Sequence, residues 1–276
     1  MAMKLSNRVA LVTGAGRGIG RAIAQKLATE GAVVVANDLD ADAVAETVAG
    51  ITATGGTAEA AAGDVTADGF AEQLVDRAVE GCGGLHIVVN NAGYIWNGAI
   101  HNHSDEQWDA MMDIHAKAPF RILRAAGRYF RRQVPEERAQ GIDICRKVVN
   151  ISSVSGVSGA ATQVSYAAGK MAVVGITNSL AQEWGRWNIT VNAVAFGPIE
   201  TRLIQEYDET PAQVEIFGRQ HRVGLSIEQR RAVTAAIPLG RFGTPDDGAG
   251  AVYLLCLPES DFISGQTLIC AGGGHL

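Results

Sequence analysis

Short apolar runs alternate along the chain with longer segments in which apolar residues recur every three or four positions. The first kind suits strands buried on both faces, the second helices packed on a sheet. RVALVTG (8–14) predicts a strand, and IGRAIAQKLATEG (19–31) a helix closed by Gly31. AVVVAND (32–38) predicts the second strand and ADAVAETVAGI (41–51) the second helix. TAEAAAGDV (57–65) is a weaker strand, followed by a helix at FAEQLVDRAVEG (70–81). LHIVVNNAG (85–93) reads as a strand ending in turn residues, and 104–132 as a long helix despite Pro119. A strand at KVVNISS (147–153), a helix over 163–187 and strands at ITVNAVAFG (189–197) and QTLICAGG (266–273) complete the set.

This alternation predicts an α/β fold, a parallel sheet with helices on both faces. Right-handed crossovers make it a Rossmann-type, doubly wound sheet. No internal repeat, low-complexity tract or linker divides the 276 residues, so one domain, 1–276, is expected. Two segments disturb the rhythm. QVPEERAQGIDICR (133–146) reads as a polar connection. Residues 202–238 form a mixed-charge excursion with Pro211 and Gly224, of a length typical of lids and binding loops. Leu203, Ile204, Tyr207, Val214, Phe217, Val223 and Leu225 are expected to make it an apolar cover over a substrate.

Composition alters this picture little. The 33 glycines point to tight turns and close backbone approaches. Net charge is −6, and the adjacent pairs Arg131-Arg132 and Arg230-Arg231 lie among acidic residues, so a nucleic-acid partner is not expected. No run reaches the ~18 apolar residues of a membrane span. MAMKLSNRVALVTG has too short an apolar run for a signal peptide, so a cytoplasmic protein without membrane contact is expected. Cys82, Cys145, Cys256 and Cys270 form no C-x-x-C pair and no Cys/His cluster, so free thiols and no metal site are expected.

Candidate chemistry begins where the first strand meets the first helix. TGAGRGIGRA (13–22) carries Gly14, Gly16, Gly18 and Gly20 in a T-G-x-x-x-G-x-G pattern. Glycine lets backbone approach a pyrophosphate, and a helix start offers unpaired N–H groups; Arg17 adds charge. Asp38 ends the second strand, 18 residues after Gly20. An acid there accepts from adenosine ribose hydroxyls and repels a 2′-phosphate, which favours NAD(H) over NADP(H). Asp38 is also a candidate cap for the next helix, as is Asp40. Asp64, at the end of the third strand, is placed to reach an adenine edge. Further on, Tyr166 and Lys170 lie four residues apart in the apolar stretch VSYAAGKMAV (164–173), hence on one side of a helix.

T-G-x-x-x-G-x-G (13–20), NNAG (90–93), Ser153, Tyr166-x-x-x-Lys170 and NAVAFGPIET (192–201) occur in that order. In this the sequence resembles the short-chain dehydrogenase/reductase family along nearly its whole length. The resemblance implies hydride transfer between NAD and a secondary alcohol or ketone, with Tyr166 as general acid/base. Lys170 would hold the nicotinamide ribose. Its charge, with that of the oxidised ring, would lower the tyrosine pKa toward working pH. Ser153 would hydrogen-bond the substrate oxygen; Ser152 is the rival, but the family spacing points to Ser153. Gly14, Arg17, Gly18, Ile19 and Gly20 would surround the phosphates, Asp38 the ribose, and Asp64 and Val65 the adenine. Asn91 would line the cofactor cleft, and Ile199 and Thr201 would contact the carboxamide. Dimers or tetramers of the chain are implied as well.

Three positions depart from the family pattern. His115 stands where an asparagine helps order a water leading to the lysine, and is expected to hold that water through a ring nitrogen. Phe196-Gly197-Pro198 puts the proline one residue after the glycine, and CAGGG (270–274) replaces Asp-Gly-Gly. Two other functions compete. One is a 3-oxoacyl thioester reductase of the acyl-carrier-protein type, usually NADPH-dependent and so disfavoured by Asp38. The other is a non-catalytic nucleotide-binding regulator or scaffold, against which Ser153, Tyr166 and Lys170 argue.

Overall fold

The structure is a computed structural model that describes residues 3–208, 210–216 and 218–274. The first half builds β1 (Val9–Val12), α1 (Gly18–Thr29), β2 (Val33–Asp38), α2 (Ala41–Ala53), β3 (Thr57–Ala62), α3 (Phe70–Asp76) and β4 (Ile87–Asn90). Next come α4 (Asp105–Met112), α5 (Ala118–Ala139), β5 (Arg146–Ser153), α6 (Val154–Ser158), α7 (Val164–Trp184) and β6 (Ile189–Phe196). The excursion contains β7 (Glu206–Tyr207), β8 (Ala212–Ile216), β9 (Arg219–Val223), β10 (Leu225–Ser226) and α8 (Ile227–Ala236). The chain returns through α9 (Pro245–Cys256) and β11 (Thr267–Cys270).

Seven strands form one parallel sheet in the order β11-β6-β5-β4-β1-β2-β3. Successive strands step outward from β1 one way and from β4 the other, so a crevice opens at the carboxyl ends of these two. Side chains alternate between the faces. Ala10 and Val12 pack with Ile23 and Leu27 of α1 and Val252 and Leu255 of α9. Val9 and Leu11 pack with Leu74 of α3, Ile122 and Phe130 of α5 and Trp184 of α7. Every residue of β5 and β6 is buried, including the polar Arg146, Lys147, Asn150, Ser152 and Ser153 of β5.

Three expectations change. The long helix is broken: a π-turn, Asp113–Lys117, lies between α4 and α5, and Pro119 sits harmlessly in the first turn of α5. The polar connection at 133–146 is largely helix, because α5 continues through Pro135 to Ala139. The cause lies elsewhere in the sequence. Arg146 is 1 % exposed, and its Nη2 donates to both oxygens of Glu137 at 2.6 and 2.8 Å, while Nε donates to Leu85 O at 3.1 Å. Only an extended α5 brings Glu137 to that buried guanidinium. Finally, α9 was not foreseen, although Thr244 and Asp247 form a capping box with Pro245 in the first turn.

The excursion is ordered into a β8–β9 antiparallel hairpin, a short β7–β10 parallel pair and α8. Arg230 of α8 anchors it: the guanidinium bonds Glu200, lies 3.6 Å from Glu206 and stacks 4.5 Å from the Phe242 ring centroid.

Removing one partner of a buried ion pair leaves the other charge uncompensated. Glu137→Gln should therefore destabilise the fold by about 3 kcal/mol, read as a lower urea midpoint with an unchanged slope.

Candidate functional site

A cleft of about 1130 Å³ follows the carboxyl ends of the strands and collects every candidate cofactor and catalytic residue named above. At one end is the turn between β1 and α1. A Cβ on Gly20 would lie 1.9 Å from Gly14 O, and Gly14 itself has φ +62°. Asn91, just past β4, ties the turn down by donating from Nδ2 to Thr13 O at 2.9 Å and Gly14 O at 3.1 Å. Helix α1 then starts at Gly18 with no side-chain cap and no acid in its first turn. Gly18, Ile19 and Gly20 line the cleft, so this uncapped positive end faces it.

Asp38 ends β2 beside the turn and accepts from Gly16 N at 2.8 Å and Asp40 N at 3.1 Å. Asp40, not Asp38, caps α2, through a bond from Ala43 N. Arg17 reaches Asp40 at 2.6 Å. Asp64 lies two residues past β3 and accepts from Thr66 N and Oγ1, with buried Val65 between. Thr201 overhangs the turn, 3.4 Å from where a Gly18 Cβ would be. Ile199 borders the cleft while its side chain packs into the core and against Gly243. An anion-ready helix start, a cradle closed to any Cβ and a carboxylate at the second strand end fit a dinucleotide.

At the other end α7 brings Tyr166 and Lys170 beside the end of β5. Tyr166 hydrogen-bonds Ser153, whose Oγ also accepts from Ser155 N at 3.1 Å. Ser152 Oγ donates to Lys170 O at 2.7 Å, so that hydroxyl is spent on holding the helix. Lys170 is 5 % exposed and donates from Nζ to Ile151 O at 2.8 Å, with Nζ 5.8 Å from the Tyr166 ring centroid. His115 occupies the π-turn, a backbone feature frequent at functional sites. Its Nε2 donates to Tyr94 O at 2.7 Å, and its ring meets Tyr166 edge-on at 5.0 Å. Nδ1 is buried without a hydrogen-bond partner among the described residues.

Residues 8–212 match the family model described as short chain dehydrogenase. The chain belongs to that family. It is 42 % identical over 230 residues to hydroxyacyl-CoA dehydrogenase ChsB1 of Mycobacterium tuberculosis, covering 80 % of this chain and 72 % of that one. It is 36 % identical to the 3-oxoacyl-(acyl-carrier-protein) reductase FabG of Vibrio cholerae, over 99 % of this chain and 100 % of the other. A crystal structure of a dehydrogenase/reductase from Sinorhizobium meliloti superposes with a TM-score of 0.83 at 28 % identity, covering 100 % of this chain and 98 % of that one. The molecule is thus an oxidoreductase acting on CH–OH groups with a nicotinamide cofactor, and among the described residues no helix is long and apolar enough to cross a membrane.

For a short-chain dehydrogenase the protonation of this pair matters, and burial acts on both members. Burial raises the Tyr166 pKa above 10, with only the Ser153 hydrogen bond opposing. Burial likewise pulls Lys170 from 10.5 to about 7. With the same dry surroundings acting on both, each neutral form gains. The His115 imidazole is held well below 6.5 by burial first and the Lys170 charge second, against the Tyr94 carbonyl.

The dehydrogenase cleft has further walls that sequence reasoning passed over. Tyr94 and Ile95 directly follow NNAG, Gln163 precedes Tyr166, and Arg202 follows Thr201; proximity to a motif was the available signal. Val233 and Phe242 carried none. Of the expected apolar cover, Ile204, Val214 and Leu225 line the cleft, whereas Tyr207 packs at Gly224 and Val223 pairs with Ala212. Phe217 and the Leu203 side chain lie outside the described residues. All four cysteines are free thiols, and no metal-holding cluster occurs among the described residues.

Because the unfolded chain binds the Lys170 proton up to about pH 10.5 and the folded one only to about pH 7, folding releases a proton between these values. Stability should rise with pH across that window. Lys170→Met should flatten the rise, seen as the difference between the two proteins in denaturant melts from pH 7 to 10.

Proposed function

We propose that the chain transfers hydride between NAD(H) and a secondary alcohol or ketone, with Tyr166 as general acid/base. The observation that carries this is the meeting of Tyr166, Ser153 and Lys170 in the same cleft as the uncapped start of α1 and the Asp38 carboxylate. Gly14, Arg17, Gly18, Ile19 and Gly20 would hold the phosphates, Asp38 the ribose and Asp64 with Val65 the adenine. Asn91, Ile199 and Thr201 would bound the nicotinamide side. When bound, the nicotinamide supplies the hydride donor or acceptor. The protein's own part is the proton. Ser153 orients the substrate oxygen, and the neutral Tyr166 phenol donates to it during reduction; in oxidation the same oxygen takes the proton back. Lys170 orients the cofactor ribose. His115, whose Nε2–H is committed to Tyr94, offers Nδ1 as an acceptor and holds a water toward Lys170. Residues 202–238 close over the substrate, and the protein works as a homodimer or homotetramer, by the family resemblance.

A second reading is a 3-oxoacyl thioester reductase. The likeness to the Vibrio reductase and the mycobacterial hydroxyacyl-CoA dehydrogenase supports it. Reduced-nicotinamide absorbance with NAD and a panel of secondary alcohols, set against NADPH and an acetoacetyl thioester, separates the two. NAD-linked alcohol oxidation is the expected result; turnover confined to the thioester with NADPH transfers the assignment to the second reading.

Tyr166→Phe should reduce kcat by about three orders of magnitude with intact cofactor binding; unchanged turnover would refute the assigned mechanism. His115→Asn should alter both kcat and the pH–rate profile. Superimposable profiles and rates would remove any special part for the imidazole.

A further inference from the structure

The ribose corner of the cleft contains two carboxylates and two guanidiniums, and two of these four groups are locked together. Arg17 Nη2 donates to Asp40 Oδ2 at 2.6 Å. Asp40 Oδ1 accepts from Ala43 N at 3.0 Å and caps α2, so the helix fixes this carboxylate and the carboxylate fixes Arg17. Asp38 is held separately by Gly16 N and Asp40 N. The second guanidinium, Arg202, feels the charges of Arg17, Asp38 and Asp40. All four side chains line the cleft.

Repulsion by Asp38 alone therefore describes the corner poorly, because its carboxylates are matched by guanidiniums. An arginine near the ribose is what accommodates a 2′-phosphate, through paired charge-assisted hydrogen bonds. Here one of the two arginines, Arg17, is already engaged. We infer that Asp40 is a specificity-determining residue: it keeps Arg17 in an ion pair and so withholds that guanidinium from a 2′-phosphate. The inference rests on the dinucleotide reading of the cleft and adds to it a residue outside the ribose-binding carboxylate. The pair is partly exposed, with side-chain exposures of 44 % and 40 %, so it is weak enough for one substitution to release it.

The test uses two probes that share adenosine and the 5′-phosphate and differ only in the 2′-phosphate: 5′-AMP and adenosine 2′,5′-bisphosphate. Isothermal titration of the whole chain gives both dissociation constants without reference to turnover. Asp40→Asn and Asp40→Ser both keep a good helix cap, so the fold of α2 is preserved. In each, preference for the bisphosphate over 5′-AMP should rise about fivefold, the scale of one exposed ion pair. In the double variant Arg17→Met with Asp40→Asn the preference should return to the wild-type value. An unmoved preference in both single variants, with 5′-AMP still bound, would overturn this inference alone. So would a rise that survives the loss of Arg17, since Asp40 would then act only as a repelling charge. Failure of every protein to bind 5′-AMP would overturn the inference together with the dinucleotide reading.

Discussion

No methyl group fits between the turn after β1 and the start of α1. That exclusion at Gly20, with a second at Gly14 where a Cβ would lie 2.8 Å from Ala92 Cα, keeps the turn close enough for Asn91 to hydrogen-bond it from the end of β4. Because β4 then runs beside β1, the strand order splits there and the crevice opens at their carboxyl ends. The same tightness aims the uncapped end of α1 into the crevice. The rest of the cleft is consequence: β2 delivers Asp38, β5 delivers Ser153, and α7 crosses behind with Tyr166 and Lys170.

At the chemical end burial outweighs attraction between neighbours. Tyr166, Lys170 and His115 share one dry region, and each is driven toward its uncharged form. Lys170 donates to the Ile151 carbonyl, and burial brings its pKa down to about 7. A region so poor in fixed charge responds strongly to any charge that enters it. Gly93 and Gly169 are what admit the histidine to this region: added Cβ atoms there would lie 2.5 Å from His115 Cε1 and 2.8 Å from His115 Cβ.

Much of the fold was legible because strands buried on both faces leave a short run of apolar residues, as in β1 and the start of β2. Most candidate residues converged on one cleft because they end or follow a strand, and a parallel sheet gathers those ends; Tyr166, Lys170 and His115 reach it from helical segments. What escaped reading depends on contacts between distant positions. The carboxyl end of α5 is set by Glu137 reaching Arg146, not by periodicity. The glycines Gly248 and Gly250 thin the apolar repeat of α9, so its Thr244-Pro245 start passed unnoticed. That the Ser152 hydroxyl is taken up by the Lys170 carbonyl depends on how α7 packs on β5. The downward shift of Lys170 reflects depth below the surface, a tertiary quantity that Tyr-x-x-x-Lys does not encode.

Asp38 has a double attachment whose effect reaches past recognition. Its Oδ2 receives the Gly16 amide, and Gly16 has no room for a side chain because a Cβ would lie 2.7 Å from that oxygen. The carboxylate is therefore a mechanical strut under the glycine turn as well as a wall of the nucleotide site. Removing the carboxylate would leave the Gly16 amide without this partner, so a change at position 38 would loosen the turn itself and not only alter the charge of the cleft.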